Sequence, residues 1–348
     1  MRVLVVEPGP AFSVQDVATG WAAGLRHAGC DVRSFNLGDR IEYHGKTLER
    51  SGQFDDLDPV AYGQLASRMA SEGILAGAMA WWPDLVVVVS SFFVPADVLR
   101  VLRLRGIRVV MHLTESPYED ENQYRMAEFA DLVLINDPTN IARFRDVNPN
   151  THYQPHGWNP ETHWRRPADA DAMSEFCFVG TGYPSRIAWF EAVDFTGIDV
   201  ALAGNWAGLP DGSPLRKYVA HDIDLCVDND ETALLYSNTA ASLNLYRTEA
   251  LDDQTVTGWS VGPRELELAA LGTFFLRQSR PESDELFPML PTVDSPGEFA
   301  EKLRWWLAHP TQRDDAARQA RDAVADRSYH QHADRLLRLA DAIPKTIT

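Results

Sequence analysis

Short apolar runs alternate with helical patterns along most of the chain, and this alternation restricts the possible folds more than any other feature. The strands predicted at residues 2–7 and 84–91 have continuously apolar centres, and the second contains five consecutive aliphatic residues, Leu85 to Val89. Continuous apolar runs of this length are typical of strands in a parallel sheet that helices cover on both faces. The alternation therefore predicts an α/β fold with doubly wound sheets.

The alternation occurs twice, which predicts two domains. A chain of 348 residues suits two domains better than one, at roughly 100–200 residues each. The first set of predicted strands ends near residue 154, the turn-forming run His156–Pro160 follows, and a new strand begins near residue 175. We predict domains at 1–158 and 159–327, followed by a C-terminal helical segment at 328–348. Residues 38–58 are polar and are predicted to form a surface insertion or flap.

Composition and charge exclude several classes of protein. The sequence has the 45% apolar and 24% charged residues of a globular protein, and its formal net charge of −18 argues against nonspecific nucleic-acid binding. Cys30, Cys177 and Cys226 lack the spacing of a zinc site and are predicted to be free thiols. No apolar run approaches the ~20 residues of a membrane helix, and residues 2–7 predict a first strand rather than a signal peptide. We therefore expect a cytoplasmic protein.

The run from Gly262 to Leu276 carries the clearest functional signal. Pro263 suits the first turn of a helix, and Gly272 suits its left-handed end, before a short apolar strand. Arg264 and Glu267 are three residues apart, so both lie on one helix face near the N-terminus. A helix N-terminus favours a phosphate, and a carboxylate behind it suits sugar hydroxyls. The alternative is an ordinary amphipathic helix with a surface ion pair.

A glycine-flanked loop opens the second domain. Gly180, Thr181 and Gly182 follow a predicted strand at 175–179, and Arg186 lies at the start of the next helix. Glycines let backbone N–H groups approach a phosphate closely, and the arginine adds positive charge. By itself the motif is a weak indication of phosphate binding.

Two other strand ends in the second domain carry candidate residues. Gly204, Asn205 and Trp206 follow the strand at 199–203, where the glycine permits close approach and the tryptophan either walls a pocket or is an ordinary loop residue. Asn244 lies in the strand at 241–246, where its amide either binds a base edge or fixes a loop. The aperiodic run 248–260 is predicted to form a loop that closes over a ligand.

These segments together resemble a known family. The pattern Arg-x-x-Glu-x-x-Ala-x-Gly at 264–272 resembles the donor-site helix of retaining glycosyltransferases of the GT-B class. Phe-Val-Gly at 178–180 with a following Arg186, Gly-x-Trp at 204–206 and Ser-Leu-Asn at 242–244 make the chain similar to the CgeB-type spore-protein glycosyltransferase family. The resemblance covers residues 145–330 well and the first half only in outline.

The resemblance implies two Rossmann-like domains facing a cleft, with the C-terminal helix crossing back to the first domain. It implies transfer of a sugar from a nucleotide diphosphate sugar with retention. No metal or cofactor is expected, since no Asp-x-Asp motif stands at a suitable strand end. Arg186, Arg264 and backbone N–H groups would stabilise the leaving diphosphate, and Glu267 would bind the ribose hydroxyls. The predicted donor-binding residues are Gly180, Thr181, Gly182, Arg186, Gly204, Asn205, Trp206, Asn244, Val261, Gly262, Arg264 and Glu267.

One position departs from the family pattern. Related retaining enzymes carry a second glutamate eight residues before the one that matches Glu267, and Trp259 stands there in this chain. This departure puts the sugar-side contact, and activity itself, in question.

The first domain supplies the candidate acceptor-side residues. Glu115 and Tyr118 follow the strand at 108–114, and ligands of such sheets bind beyond the carboxyl ends of the strands. Glu115 is the candidate catalytic carboxylate, with a solvated loop acid as the alternative. His112 lies inside the strand and is either catalytic or a core histidine. Ser13 and Gln15, near the end of the first strand, are candidate acceptor contacts.

Three functions stay open on the sequence alone. The first is a glycosyltransferase, the second a nucleotide-sugar epimerase of the same fold, and the third a non-catalytic structural or adaptor protein. The acceptor of a transferase is not identified and would be a protein, a polysaccharide, a small molecule or modified DNA. The acidic charge makes DNA the least favoured of these.

Overall fold

A computed structural model describes residues 1–10, 12–54, 57–167, 169, 173–246 and 258–343. These residues divide into two compact units. The first contains residues 1–155, 258 and 329–343, and the second contains residues 156–246 and 259–328. The boundaries between the two units therefore lie after residues 155 and 328, whereas the sequence predicted domain boundaries after residues 158 and 327.

The first unit is built on one parallel six-stranded sheet, as the apolar runs predict. The strand order is β2-β1-β3-β4-β5-β6, and every neighbouring pair is parallel. Alternate residues point to opposite faces, so that Leu4 and Val6 enter one core while Val3 and Val5 enter the other. The strands are β1 Arg2–Val6, β2 Asp31–Phe35, β3 Leu85–Val89, β4 Arg108–Leu113, β5 Leu132–Ile135 and β6 Thr151–Tyr153.

Helices connect these strands and cover the sheet. They are α1 Phe12–His27, α2 Leu37–Ser51, α3 Pro59–Trp81, α4 Ala96–Leu104, α5 Asp120–Ala127 and α6 Ile141–Val147. Helix α2 occupies most of residues 38–58, which were predicted to form a surface insertion or flap. Asn36 caps it by accepting from the Asp39 N–H, and Gly52 ends it in the left-handed region. Its buried residues are Leu37 and Leu48. Because the apolar face of α2 is so small, the polar sequence shows no clear helical pattern of apolar residues.

The second unit is built on a parallel four-stranded sheet. Its strands are β7 Ser174–Val179, β8 Val200–Ala203, β9 Thr239–Asn244 and β10 Phe275–Arg277, in the order β10-β9-β7-β8. Its helices are α7 Pro184–Glu191, α8 Asn229–Ser237, α9 Pro263–Leu271, α10 Pro281–Leu286, α11 Pro296–Ala308 and α12 Pro310–Ala323. Five of these six helices begin at a proline, whose missing N–H has no partner in the first turn anyway.

The C-terminal helix, α13 Tyr329–Ala342, belongs to the first unit. Tyr329, Ala333 and Leu336 share a core with Trp21 and Leu25 of α1. The two helices approach closely because α1 carries glycine at the contact. A Cβ atom at Gly24 would lie 2.1 Å from the Tyr329 carbonyl oxygen.

Both sheets have a topological switch point, where the strand order reverses. It lies between β1 and β3 in the first sheet and between β7 and β9 in the second. In open parallel sheets the loops at this point diverge to opposite faces and leave a crevice at the carboxyl edge. No helix among the described residues is both long and apolar enough to cross a membrane.

Candidate functional site

Arg186 lies at the switch point of the second sheet. It belongs to the first turn of α7, directly after the glycine-flanked loop. One guanidinium nitrogen donates to the Thr181 carbonyl, 3.1 Å away, and the other donates to the Leu245 carbonyl at 2.8 Å. The guanidinium therefore joins the loops that follow β7 and β9, and it places a positive charge between them.

The backbone N–H groups of the glycine loop do not act as predicted. Gly180 N–H donates to the Ala203 carbonyl at 2.9 Å, and Gly182 N–H donates to the Asn205 carbonyl at 2.8 Å. Both groups hold the β7 loop against the β8 loop, so neither is available to a phosphate. The glycines are needed for this close approach. Gly204 has φ of 101°, and a Cβ atom there would lie 2.5 Å from the Gly180 oxygen.

Trp206 is a core residue, which corrects its prediction as a donor-binding residue. Its side chain is completely buried, its indole N–H donates to the Ala203 carbonyl, and its ring packs against Phe178 and Phe190. A Cβ atom at Gly182 would lie 2.5 Å from the ring. The ring of Trp206 therefore packs directly against the glycine loop and supports it.

Asn205 fixes the loop after β8. Its side-chain amide donates to the Asp224 carbonyl at 3.3 Å, and its side-chain oxygen accepts from the Ala207 N–H at 3.0 Å. Both ends of the Asn205 amide are therefore hydrogen-bonded within the protein. The donor-binding role of Asn205 stays a prediction.

The N–H groups before α9 also differ from their prediction. Gly262 N–H donates to the Glu265 carboxylate at 2.9 Å, and Val261 N–H donates to the Glu282 carboxylate at 2.8 Å. Glu282 is buried and also accepts from Arg327 at 2.7 Å. Carboxylates of the chain itself therefore occupy the positions where a phosphate was expected.

Glu265 is a structural residue of this region that the sequence analysis missed. It is completely buried and accepts hydrogen bonds from Tyr246, Ser283 and the Gly262 N–H. Burial raises the pKa of Glu265. The hydrogen bonds lower the pKa, but the effect of burial is larger and the net shift is upward. The spacing of a capping box, with an acid three residues after the cap, is the signal that would have identified it.

The predicted pair of Arg264 and Glu267 is present at the first turns of α9. The guanidinium nitrogen lies 2.6 Å from the Glu267 carboxylate; the Glu267 side chain is 7% exposed, whereas the Arg264 side chain is 27% exposed. Burial alone would raise the pKa of Glu267, but Arg264, His163 and His156 lower it, and the net shift is downward. Glu267 is therefore an ionised carboxylate beside a partly accessible cation.

His163 is a second residue that the sequence analysis missed. It is buried, and its Nδ1 accepts from the Asn159 N–H at 2.9 Å, which requires the proton on Nε2. Burial lowers the pKa of His163, so the ring is neutral at pH 7. The residues around Asn159 are typical of a turn, so the sequence analysis did not identify His163 as part of a site.

Asn244 carries an unsatisfied donor at the end of β9. Its side chain is buried, and among the described residues its Nδ2 has no hydrogen-bond partner. A buried donor without a partner costs about 1–3 kcal/mol. The atom lies beside the start of α9, since a Cβ atom at Gly262 would be 3.9 Å away. Such a donor is suited to a ligand oxygen.

Two further predictions concern residues 248–260, which precede α9. Trp259 stands where the family has a glutamate, and its carbonyl accepts from the Glu282 N–H at 3.1 Å. Most of the predicted closing loop at 248–260 lies outside the described residues. Within the described ranges, no group of three His, Cys, Asp or Glu side chains could hold a metal ion.

In the first unit, His112 is a core histidine rather than a catalytic one. It is completely buried within β4, and its Nδ1 accepts from the Trp21 indole N–H at 2.9 Å. Because Nδ1 is an acceptor, the ring is held with its proton on Nε2. The structure therefore favours the second of the two interpretations of His112.

The other acceptor-side candidates lie at the carboxyl edge of the first sheet. The Glu115 carbonyl accepts from the Tyr118 N–H at 2.8 Å, so these two residues share one turn. Asn136, which the sequence analysis missed, fixes this turn through two hydrogen bonds of 3.0 Å to the Ser116 backbone. Gln15 donates to the Glu7 carboxylate at 2.7 Å. The side chain of Ser13 lies outside the described residues.

Comparison with known proteins adds a family match. Residues 186–341 match the model of a family described as glycosyl transferase-like. The chain is also 21% identical over 244 residues to the spore protein CgeB of Bacillus subtilis, which covers 68% of this chain and 76% of that protein.

Solved structures share the architecture over the full length of the chain. Sucrose-phosphate synthase from Thermosynechococcus elongatus superposes with a TM-score of 0.66 at 14% identity, covering 99% of this chain and all of that one. The Anabaena protein HepE, solved with UDP-glucose, superposes with a TM-score of 0.61 at 14% identity, covering 97% and 99%. The chain therefore has the GT-B fold that its sequence resemblance predicted, and residues 186–341 match the glycosyl transferase-like family.

Proposed function

We propose that this protein is a glycosyltransferase whose donor is a nucleotide diphosphate sugar. The observation that carries the proposal is the ion pair of Arg264 and Glu267 beside the unsatisfied Asn244 amide. This group lies at the carboxyl edge of the second sheet and within the region that matches the glycosyl transferase-like family. The complex of HepE with UDP-glucose supports a donor of the same class.

Charge determines how these residues would act. The guanidinium groups of Arg186 and Arg264 bind the pyrophosphate, and their charge stabilises the diphosphate as it leaves. The Glu267 carboxylate accepts hydrogen bonds from the ribose hydroxyls, and Arg264 keeps it ionised. The Asn244 amide donates to an oxygen of the nucleotide. The backbone N–H groups at Gly180, Gly182, Val261 and Gly262 have no part in this scheme, because each has a partner in the fold.

The proposal extends to the course of the reaction. The bond between the anomeric carbon and the diphosphate oxygen breaks, a bond to an acceptor oxygen forms, and the acceptor loses its proton. We propose that the anomeric configuration is retained and that no metal is needed, since the arginines supply the positive charge. Glu115, Tyr118 and Gln15 stay the candidate acceptor contacts.

Incubation with a panel of nucleotide sugars tests the proposal. We expect binding of at least one donor and slow release of free nucleoside diphosphate, both unchanged by EDTA. Accumulation of an isomerised donor would instead show an epimerase, and binding of no donor would show an adaptor protein.

The role of Glu267 has a sharper test, based on the ribose hydroxyls. The unmodified protein should prefer UDP to 2′-deoxy-UDP by about tenfold, or roughly 1.4 kcal/mol, the contribution of one hydrogen bond to a charged group. The Glu267→Gln variant should lose most of this preference. Glu285→Gln, at an exposed position of α10, is the matched control and should keep it. An undiminished preference in Glu267→Gln would remove Glu267 from the nucleotide site.

A further inference from the structure

A cavity lined by arginines lies at the opposite edge of the second sheet from the proposed donor site. Its volume is about 410 Å³, and its wall includes Thr239 at the start of β9 and Phe274 just before β10. The proposed donor residues lie instead beyond the carboxyl ends of these strands. The cavity is therefore separate from the donor site.

The charge of this cavity contrasts with that of the chain. Four arginines line it, Arg165, Arg313, Arg318 and Arg321, against a single carboxylate, Asp314. The lining thus has a formal excess of three positive charges, whereas the whole chain has a net charge of −18. A concentration of one sign of charge in a concave surface attracts ligands of the opposite sign.

The arginines are only partly neutralised by the fold. Arg165 donates to the Gly272 carbonyl at 2.9 Å, Arg318 pairs with Asp315, and Arg313 lies 3.6 Å from Asp314. Among the described residues, Arg321 has no carboxylate within ion-pair distance. Three of the four arginines come from a single helix, α12, so they are held at fixed spacing on a rigid element.

We propose that this cavity binds a small phosphorylated molecule. The planar guanidinium group matches the oxygens of a phosphate and bonds it through two parallel N–H groups, so a cluster of arginines favours phosphate over a single negative charge. The volume lies within the range of small-molecule sites, roughly 300–1,000 Å³. Phe274 and Ala317 give the wall an apolar part, against which the rest of a small organic phosphate packs.

Isothermal titration with three probes tests this site: glucose 6-phosphate, inorganic phosphate and glucose. We expect glucose 6-phosphate to bind with one-to-one stoichiometry and glucose not to bind. Inorganic phosphate that binds as tightly as the sugar phosphate would identify the ligand as the free ion, and weaker binding would identify it as an organic phosphate. Absence of binding by both phosphates would overturn the proposal.

Variants assign the binding to this cavity. The double variant Arg318→Gln with Arg321→Gln should weaken phosphate binding at least tenfold, and its melting temperature should be unchanged because both side chains are exposed. Arg304→Gln removes an arginine that pairs with Asp194 elsewhere in the same unit, and it should bind as the unmodified protein does. Equal binding by the double variant would refute the assignment. Displacement of glucose 6-phosphate by UDP would equally refute it, because that result would place the ligand in the donor site.

Discussion

The carboxyl edges of the two parallel sheets share a backbone arrangement but carry different side chains. In the first sheet the residues directly after the strands are all polar, and only one is charged. They are Glu7, Asn36, Ser90, Thr114, Asn136 and Gln154. In the second sheet the corresponding residues are Gly180, Gly204, Leu245 and Gln278, and Arg186 and Arg264 lie at the starts of the following helices.

The two edges therefore differ in the chemical groups that they offer. The first edge offers hydroxyl and amide groups, and among the described residues the buried hydroxyls of Ser91 and Thr114 have no hydrogen-bond partner. Such groups suit neutral polar ligands such as sugars. The second edge combines closely packed glycine loops with arginines, which suit a phosphate. One architecture thus acquires different chemistry from the residues at its strand ends.

The largest expected effect concerns Gly204, which directly follows a strand of the second sheet. Gly204→Ala should destabilise the protein by about 2–5 kcal/mol, because the positive φ and the clash with the Gly180 oxygen both oppose a Cβ atom. Gly197→Ala should cost only about 1–2 kcal/mol, because φ there is 77° but the space is open. Urea denaturation measures both values. Equal losses would show that the close packing of the two loops is unimportant.

The same comparison has a counterpart at the first edge. There the residue with positive φ is Ser90, at 61°, and it has a side chain. Ser90→Gly should change the free energy of unfolding by no more than about 1 kcal/mol, since glycine adopts this conformation without strain. A loss as large as that of Gly204→Ala would contradict the distinction between the edges.

An intermediate effect is expected for the charge at the second edge. Arg186→Met should weaken UDP binding by about 10- to 100-fold, which corresponds to roughly 1.4–2.8 kcal/mol for a charge-assisted hydrogen bond. Thr114→Val, at the first edge, should leave UDP affinity unchanged within a factor of two. Fluorescence or calorimetric titration with UDP provides both values. If Thr114→Val weakens UDP binding as much as Arg186→Met, the assignment of phosphate to the second edge is wrong.

The smallest expected effect is a pH dependence arising from His163. Its pKa in the folded protein lies below the ordinary value of 6.5, so the folded chain binds fewer protons than the unfolded chain in the interval below 6.5. The stability that it contributes is therefore present above pH 6.5 and is lost as the pH falls through this interval. The loss should have a slope of at most about 1.4 kcal/mol per pH unit, the value for one proton.

His163→Asn is the variant that tests this slope, because the asparagine oxygen accepts from the same Asn159 N–H without titrating. Urea denaturation between pH 5 and 7.5 should show a shallower decline in the variant than in the unmodified protein. Identical slopes would mean that His163 does not titrate differently on folding.

The architecture and part of the site followed from the sequence. Apolar runs such as Leu85–Val89 predicted the strands because burial on both faces of a sheet leaves no polar positions. The spacing of Arg264 and Glu267 predicted their ion pair because residues three apart are neighbours on a helix.

The remaining features depend on contacts between segments that are distant in the chain. Gly182 N–H is used by Asn205, and Val261 N–H is used by Glu282, so local sequence could not show that these donors were unavailable. The motif Gly-x-Trp likewise did not show whether Trp206 points outward or into the core. His163 was hidden because its environment comes from Glu267, about a hundred residues later.

The support of the glycine loop by Trp206 has a consequence for protein engineering. Side chains at positions 182 and 204 would collide with the Trp206 ring or the Gly180 backbone, so a mutagenesis library at these two positions would yield mostly unfolded proteins. At position 180 the contact is tighter than usual but not a collision, since a Cβ atom there would lie 3.1 Å from the Phe178 ring. Thr181 is the exposed member of the loop. Mutagenesis of this loop should therefore randomise Thr181 and keep its glycine neighbours constant.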